Sequence, residues 1–167
     1  IYPLRTLFPY TTLFRSYEFI DAAEIIFFKK SGRLDEKATY DAVKTRLSKV
    51  EKAVIPGFYG ASKDGKIRTF SRGGSDITGA IIARGVGAKL YENWTDVSGL
   101  LMADPSIVNN PKLIEEVTYK ELRELSYMGA NVFHEEAVFP VKNHGIAINI
   151  KNTNKPTDNG KIGRAHV

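Results

Sequence analysis

The stretch Ser71–Thr95, SRGGSDITGAIIARGVGAKLYENWT, narrows the possible folds more than any other part of the chain. Two glycines lead into Ser75 and Asp76, both good N-cap residues, and then into an apolar helical segment, Ile77–Ala83. Directly afterwards Lys89–Thr95 alternates like a strand, with Leu90, Glu92 and Trp94 against Tyr91, Asn93 and Thr95. Further strand-like and helix-like segments follow one another along the chain. That order predicts an α/β fold with a largely parallel sheet and helices on both faces.

The other segments fit this frame. Ile20, Ala23, Ile26 and Phe27 recur at helix-like spacing within Tyr17–Phe28, and Lys29–Arg33 reads as a turn around Ser31-Gly32. Ala38–Lys49 carries Ala42, Val43 and Leu47 among charges and predicts an amphipathic helix. Lys52–Gly57 has the look of a short buried strand with Pro56 at its end, because proline cannot donate to a sheet ladder. Lys63-Asp64-Gly65-Lys66 has hairpin-turn chemistry. Thr118-Tyr119-Lys120-Glu121 is a capping box opening a helix over Leu122–Met128, closed by Gly129. A short helix around Glu135–Val141 precedes a strand over Ile146–Ile150.

Both ends stand apart. Thr6–Ser16, TLFPYTTLFRS, and Ile162–Val167, IGRAHV, resemble translated sequencing-library adapter, so residues 1–16 and 161–167 are set aside from fold reasoning. A signal or transit peptide is the alternative for the start, but that segment has no continuous apolar region and no small-residue cleavage site. Of the 24 basic residues, Arg5, Arg15, Lys161 and Arg164 lie in those ends, which leaves 20 against 19 acidic and lowers the net charge from +5 to +1. A basic excess that would suggest nucleic acid or an anionic membrane surface therefore belongs mostly to the ends. The remaining charges alternate in sign, the pattern of a solvated surface. No apolar run is long enough to span a membrane, and the absence of cysteine excludes disulfides, thiolate metal sites and thiol catalysis while suiting a cytoplasmic setting.

Three loops, each after a predicted strand, can carry chemistry, since ligands of open α/β sheets collect where strand ends meet glycine-rich loops and helix N-termini. The first is Gly57-Phe58-Tyr59-Gly60, whose glycines let backbone amides approach a ligand. The second is Ser71-Arg72-Gly73-Gly74-Ser75-Asp76, where Arg72 can hold a carboxylate bidentately and Ser75 can add a donor. Asp76 fits there in two ways: as a helix cap with Arg72 paired to a surface acid, or as an acid steering a transfer step. The third is Trp94-Thr95-Asp96-Val97-Ser98-Gly99, where Thr95 and Asp96 suit nucleotide, phosphate or Mg²⁺ contacts, or an ordinary Asx-turn. Trp94 reads as a packed core residue. Neither a GxxxxGK[ST] loop nor a GxGxxG after a strand is present, and His134 and His144 do not have HExxH spacing, so no metal ligand set is assigned.

Taken in order, GFYG, SRGGSDITGAIIA, YENWTDVSGLLMADP, TYKELRELSYMGANVFHEEAVFP and INIKNTNKP resemble the aspartate kinases of the amino-acid kinase family over essentially all of residues 17–160. The resemblance implies an incomplete carbamate-kinase-like fold, a three-layer αβα sandwich with a mostly parallel sheet. It implies transfer of the ATP γ-phosphoryl group to the side-chain carboxylate of L-aspartate, giving 4-phospho-L-aspartate for lysine, threonine and methionine biosynthesis, with ATP and Mg²⁺ as cofactors. Position by position, Asp76 matches the acid that organises catalysis, and Arg72, Ser75 and Phe58 match substrate contacts. Thr95, Asp96 and Leu101 match nucleotide contacts.

The same resemblance implies that residues 17–160 are the C-terminal part of a kinase domain. The family's K-x-G-G-T loop and upstream acidic motif are absent from the chain, as are the ACT domains through which a longer enzyme forms homo-oligomers. The chain alone is accordingly expected to be inactive. Two positions depart from the common pattern: Ser106 in place of the arginine of DPR, and Asn131 in place of the lysine of GAK. The alternatives are a non-catalytic amino-acid- or nucleotide-binding module on this scaffold, or a kinase for another acceptor such as glutamate. Nucleic acid and membrane are not expected partners.

Overall fold

The computed structural model describes residues 16–96, 107–112, 114, 116–121, 124, 135–157 and 161–164. The chain divides into two compact units, Ile1–Arg68 and Thr69–Val167.

In the first unit β1 (Glu18–Phe19) pairs in parallel with β3 (Ala53–Val54), and β2 (Phe27–Phe28) pairs in parallel with β4 (Tyr59–Ser62), which neighbours β5 (Ile67–Thr69). The helix-like spacing of Tyr17–Phe28 does not produce a helix. It resolves into β1, a single 3₁₀ turn at Ala22–Glu24, and β2. Asp21 is the physical reason: its carboxylate accepts from the Ala23 N–H at 2.8 Å and starts a turn that Ile25, at φ −130°, ends. Ile20, Ile25 and Ile26 are then fully buried in the segment between the two short strands, around the turn.

Helix α1 (Glu36–Leu47) is capped by Asp35 and buries Val43 and Thr39. Thr39 is wholly enclosed, and its hydroxyl accepts from the Phe27 N–H at 3.0 Å and donates to the Phe27 carbonyl at 3.4 Å. That pairing satisfies the N–H of a β2 residue, adds to the Asp35 N–H already on its carbonyl at 2.7 Å, and joins helix to strand. The turn at Lys29–Arg33 and the hairpin at Ser62–Lys66 form as expected, the latter closed by the Ser62 N–H on the Lys66 carbonyl at 2.9 Å. β3 is only half-buried rather than buried, because among the described strands β1 alone pairs with it.

In the second unit the chain runs through α2 (Gly74–Val86), β6 (Leu90–Thr95), β7 (Glu116–Thr118), a 3₁₀ turn at Glu135–Ala137, α3 (Val138–Lys142), β8 (Ala147–Asn152) and β9 (Lys161–Arg164). The sheet order is β6-β8-β9-β7. β6 and β8 are parallel in register from Leu90↔Ala147 to Thr95↔Asn152, β7 and β9 are parallel, and β8 and β9 are antiparallel. Residues 161–164, set aside above with the tail, therefore pair with two strands. α2 packs on β6 and on α3, and Ile77, Ala80, Ile81, Val138, Val141, Ile148 and Ile150 form the core. The capping box at Thr118 is complete: its N–H and hydroxyl both donate to Glu121 Oε2 at 2.7 Å, and the Glu121 N–H donates back to its hydroxyl at 3.2 Å. Among the described residues no helix is long and apolar enough to cross a membrane.

Candidate active site

Helix α2 starts one residue before the serine and aspartate expected to cap it. Gly73 is the N-cap, in the left-handed region at φ 61° and ψ 21°, with no side-chain cap. An L side chain is strained there, so the first glycine of Arg72-Gly73-Gly74 sets where the helix begins. Ser75 and Asp76 become the second and third helical residues, and neither caps. An acid in the first turn is favoured by the helix dipole without serving as a cap. Arg72 and Ser75 are exposed at this helix start.

Asp76 instead reaches the neighbouring strand. Its Oδ1 accepts from Asn93 Nδ2 at 2.9 Å, and its backbone carbonyl accepts from the Tyr91 hydroxyl at 3.2 Å. The Asn93 amide also donates to the Tyr91 oxygen at 3.0 Å. The three side chains thus close a small network between the first turn of α2 and the inward face of β6. Asn93 is only 7% exposed. Burial, joined by the nearby Asp76 charge, pushes the Tyr91 phenol up to about 12 against the opposing pull of the Asn93 hydrogen bond, so Tyr91 stays a donor. Gly79, one turn further along α2, makes room for the ring: a Cβ there would lie 2.6 Å from the Tyr91 oxygen and 2.8 Å from two ring carbons.

The alternation expected for β6 is present, with Tyr91, Asn93 and Thr95 turned inward and Leu90, Glu92 and Trp94 outward. Trp94 is therefore not the packed core residue expected of it. It is 43% exposed, its indole N–H donates to Glu92 at 3.3 Å, and the Lys151 ammonium sits 4.7 Å from its ring centroid. Sequence reasoning had no means of ranking the two faces, because the inward one carries the more polar residues. Tyr91, Asn93 and Gly79 were not singled out for function; the one signal they offered was an asparagine in phase with Tyr91 and Thr95.

At the end of β6 the Thr95 hydroxyl donates to Asp96 Oδ1 at 3.2 Å, while the Thr95 carbonyl accepts from the N–H and hydroxyl of Thr153 at 2.8 and 3.0 Å. Asn93 and Thr95 are two residues apart on one face, a rise of about 7 Å. Asp76 and the Thr95–Asp96 pair thus flank the same C-terminal end of β6. Among the described residues no group of three or more His, Cys, Asp or Glu gathers as a metal cage.

Phe58 belongs to the first unit. It is 40% exposed at φ 79°, a strained conformation for a non-glycine residue. Its neighbour Tyr59 donates to Asp21 at 2.8 Å, and burial with that bond and the Asp21 charge lifts the Tyr59 phenol to about 12. Gly60 does not open the loop to a ligand: a Cβ there would collide with the Ile26 carbonyl and lie 2.7 Å from Ile26 Cγ2, so its close approach is internal. Leu101, Ser106, Asn131 and His134 lie outside the described residues.

A family model described as the amino acid kinase family matches residues 13–152. Aspartokinase 3 of Bacillus subtilis is 57% identical over 107 residues, covering 64% of this chain and 24% of that protein. A solved aspartate kinase of Clostridium acetobutylicum superimposes with a TM-score of 0.83 at 64% identity, covering 90% of this chain and 34% of that one. Aspartokinase III of E. coli, solved in complex with aspartate and ADP, gives a TM-score of 0.80 at 26% identity over 90% of this chain and 35% of its own. The chain spans about a third or less of the length of these relatives.

Proposed function

The chain belongs to the amino acid kinase family, and from that premise we propose that residues 17–160 are the C-terminal part of the kinase domain of an aspartate kinase. The reaction is transfer of the ATP γ-phosphoryl group to the side-chain carboxylate of L-aspartate, giving an acyl phosphate and ADP. One observation carries the reading. The Asn93–Asp76 hydrogen bond ties the start of α2 to β6 two residues before Thr95, so an acid-bearing helix start and a Thr-Asp pair share one strand end. Phosphoryl transfer needs little covalent work from a protein beyond positioning and charge stabilisation, which is what such an end offers.

In this reading the first-turn N–H groups of α2, Arg72 and Ser75 receive the amino-acid substrate, since a helix N-terminus and a guanidinium both favour a carboxylate. Phe58 is assigned to substrate contact by the family resemblance of its loop alone. Thr95 and Asp96 contact the nucleotide, with Leu101 beside it. Asp76, held by Asn93, keeps a fixed negative charge at the transfer centre. Mg²⁺ binds ATP largely through phosphate oxygens and water and asks one or two carboxylates of a protein, a demand that Asp76 and Asp96 fit without a cage. When bound, it neutralises charge on the β- and γ-phosphates.

The test is hydroxylamine trapping of the acyl phosphate alongside ADP release, in the full-length protein carrying this segment. Aspartate-dependent hydroxamate is expected, with kcat falling about 10²–10³-fold in Asp76→Asn. Hydroxamate from glutamate but not aspartate, or none at all, refutes the assignment. The 167-residue chain by itself is expected to form none.

A further inference from the structure

Asn93 stands out among the buried polar groups, because its amide meets the one first-turn acid of α2 across an element boundary. A buried asparagine is costly unless its N–H groups are matched, and here both are: one on the Asp76 carboxylate and one on the Tyr91 oxygen. The Tyr91 hydroxyl in turn donates to the Asp76 backbone carbonyl, so main chain and side chain of Asp76 are gripped from the same strand. The ring that delivers this hydroxyl lies where any residue but glycine at position 79 would collide with it. The arrangement leaves Oδ1 of Asp76 occupied and its orientation set.

We propose that Asn93 and Tyr91 are positioning residues for phosphoryl transfer: together they clamp the Asp76 carboxylate in one orientation at the mouth of α2. The inference rests on the kinase reading above and deepens it. Neither residue touches substrate; both act through Asp76. Because Tyr91 is held protonated by its burial, the clamp is intact throughout the neutral range. A small misplacement of a group at a transfer centre is enough to cost about 10²-fold in rate, so a clamp on the carboxylate matters more for turnover than for affinity.

The test compares five full-length proteins: parent, Asn93→Asp, Asp76→Asn, the double exchange and Tyr91→Phe. Asn93→Asp sets two carboxylates against each other and is expected to lower the melting temperature. In the Asp76→Asn background the same change restores a donor–acceptor pair with its polarity reversed, so the penalty should largely vanish. In steady-state kinetics Asn93→Asp is expected to lower kcat by about 10²-fold with KM for aspartate and ATP unchanged. Tyr91→Phe, which loses only the hydroxyl, should fold normally and show a smaller loss confined to kcat. Additive melting-temperature losses in the double exchange overturn the clamp itself. A parent that phosphorylates aspartate while both Asn93→Asp and Tyr91→Phe keep its kcat overturns the positioning role alone. A parent that forms no acyl phosphate overturns the kinase reading and the role with it, even if the exchange restores stability.

Discussion

Replacing Gly79 by alanine isolates the packing on which the Asp76 network depends. In an ordinary helix interior the change stabilises by about 1 kcal/mol, because glycine carries the larger backbone entropy cost. Here the new methyl would stand 2.6 Å from the Tyr91 oxygen and 2.8 Å from Cε2 and Cζ, well inside contact distance. The ring is not a loose end that can swing aside cheaply, since its hydroxyl is bonded to the Asp76 carbonyl and to Asn93. Moving it forfeits two hydrogen bonds of about 1 kcal/mol each and exposes a buried Asn93 donor to a desolvation penalty of about 1–3 kcal/mol. Against the helix gain, the net loss is about 2–4 kcal/mol. For a chain of this size that lowers the melting temperature by about 4–16 °C, read by thermal unfolding with circular dichroism. In a Tyr91→Leu background the obstruction is gone and the sign should reverse, Gly79→Ala then raising the melting temperature by about 2–4 °C. Gly79→Ala melting at or above the parent, with Tyr91 intact, would refute the reasoning.

Thr39→Val keeps the shape of a fully buried side chain but strands the N–H of Phe27, whose carbonyl keeps its bond from the Asp35 N–H, and should cost about 1–3 kcal/mol in denaturant unfolding, whereas Thr39→Ser should cost less. In alkali the protein should lose stability between the ordinary tyrosine value of 10 and about 12, because the folded state retains the Tyr91 proton after the unfolded chain has released it. Stability is intact below that window, and about 3 kcal/mol is withdrawn across it, measurable by urea melts at stepped pH with tyrosinate absorbance as the monitor. Arg72→Ala in the full-length protein should raise KM for aspartate by about tenfold or more while leaving KM for ATP near the parent value; equal effects on both substrates would contradict its assignment to the amino acid.

Much of the fold was legible because its determinants are local. The capping box Thr118–Glu121, the turns at Gly32 and Gly65, the amphipathic α1 and the alternation of β6 each depend on residues a few positions apart, and each forms as its spacing predicts. The Arg-Gly-Gly-Ser-Asp loop was likewise recognisable as the mouth of a helix. What failed were judgements that needed a neighbour distant in sequence. Tyr17–Phe28 has helical spacing, yet Asp21 turns it and parallel partners at Ala53–Val54 and Ala61–Ser62 draw its two ends into strands. Trp94 looked like core until the facing helix packed on the other side of β6.

The amino-acid sequence alone determined the order of elements, the turn chemistry and the set of residues able to bind anions, because periodicity and capping are short-range properties. Tertiary structure decided which side of β6 is covered and that Asp76 is answered by Asn93, 17 residues later. Those outcomes follow from what packs across an interface, and no pattern within a single segment encodes its partner.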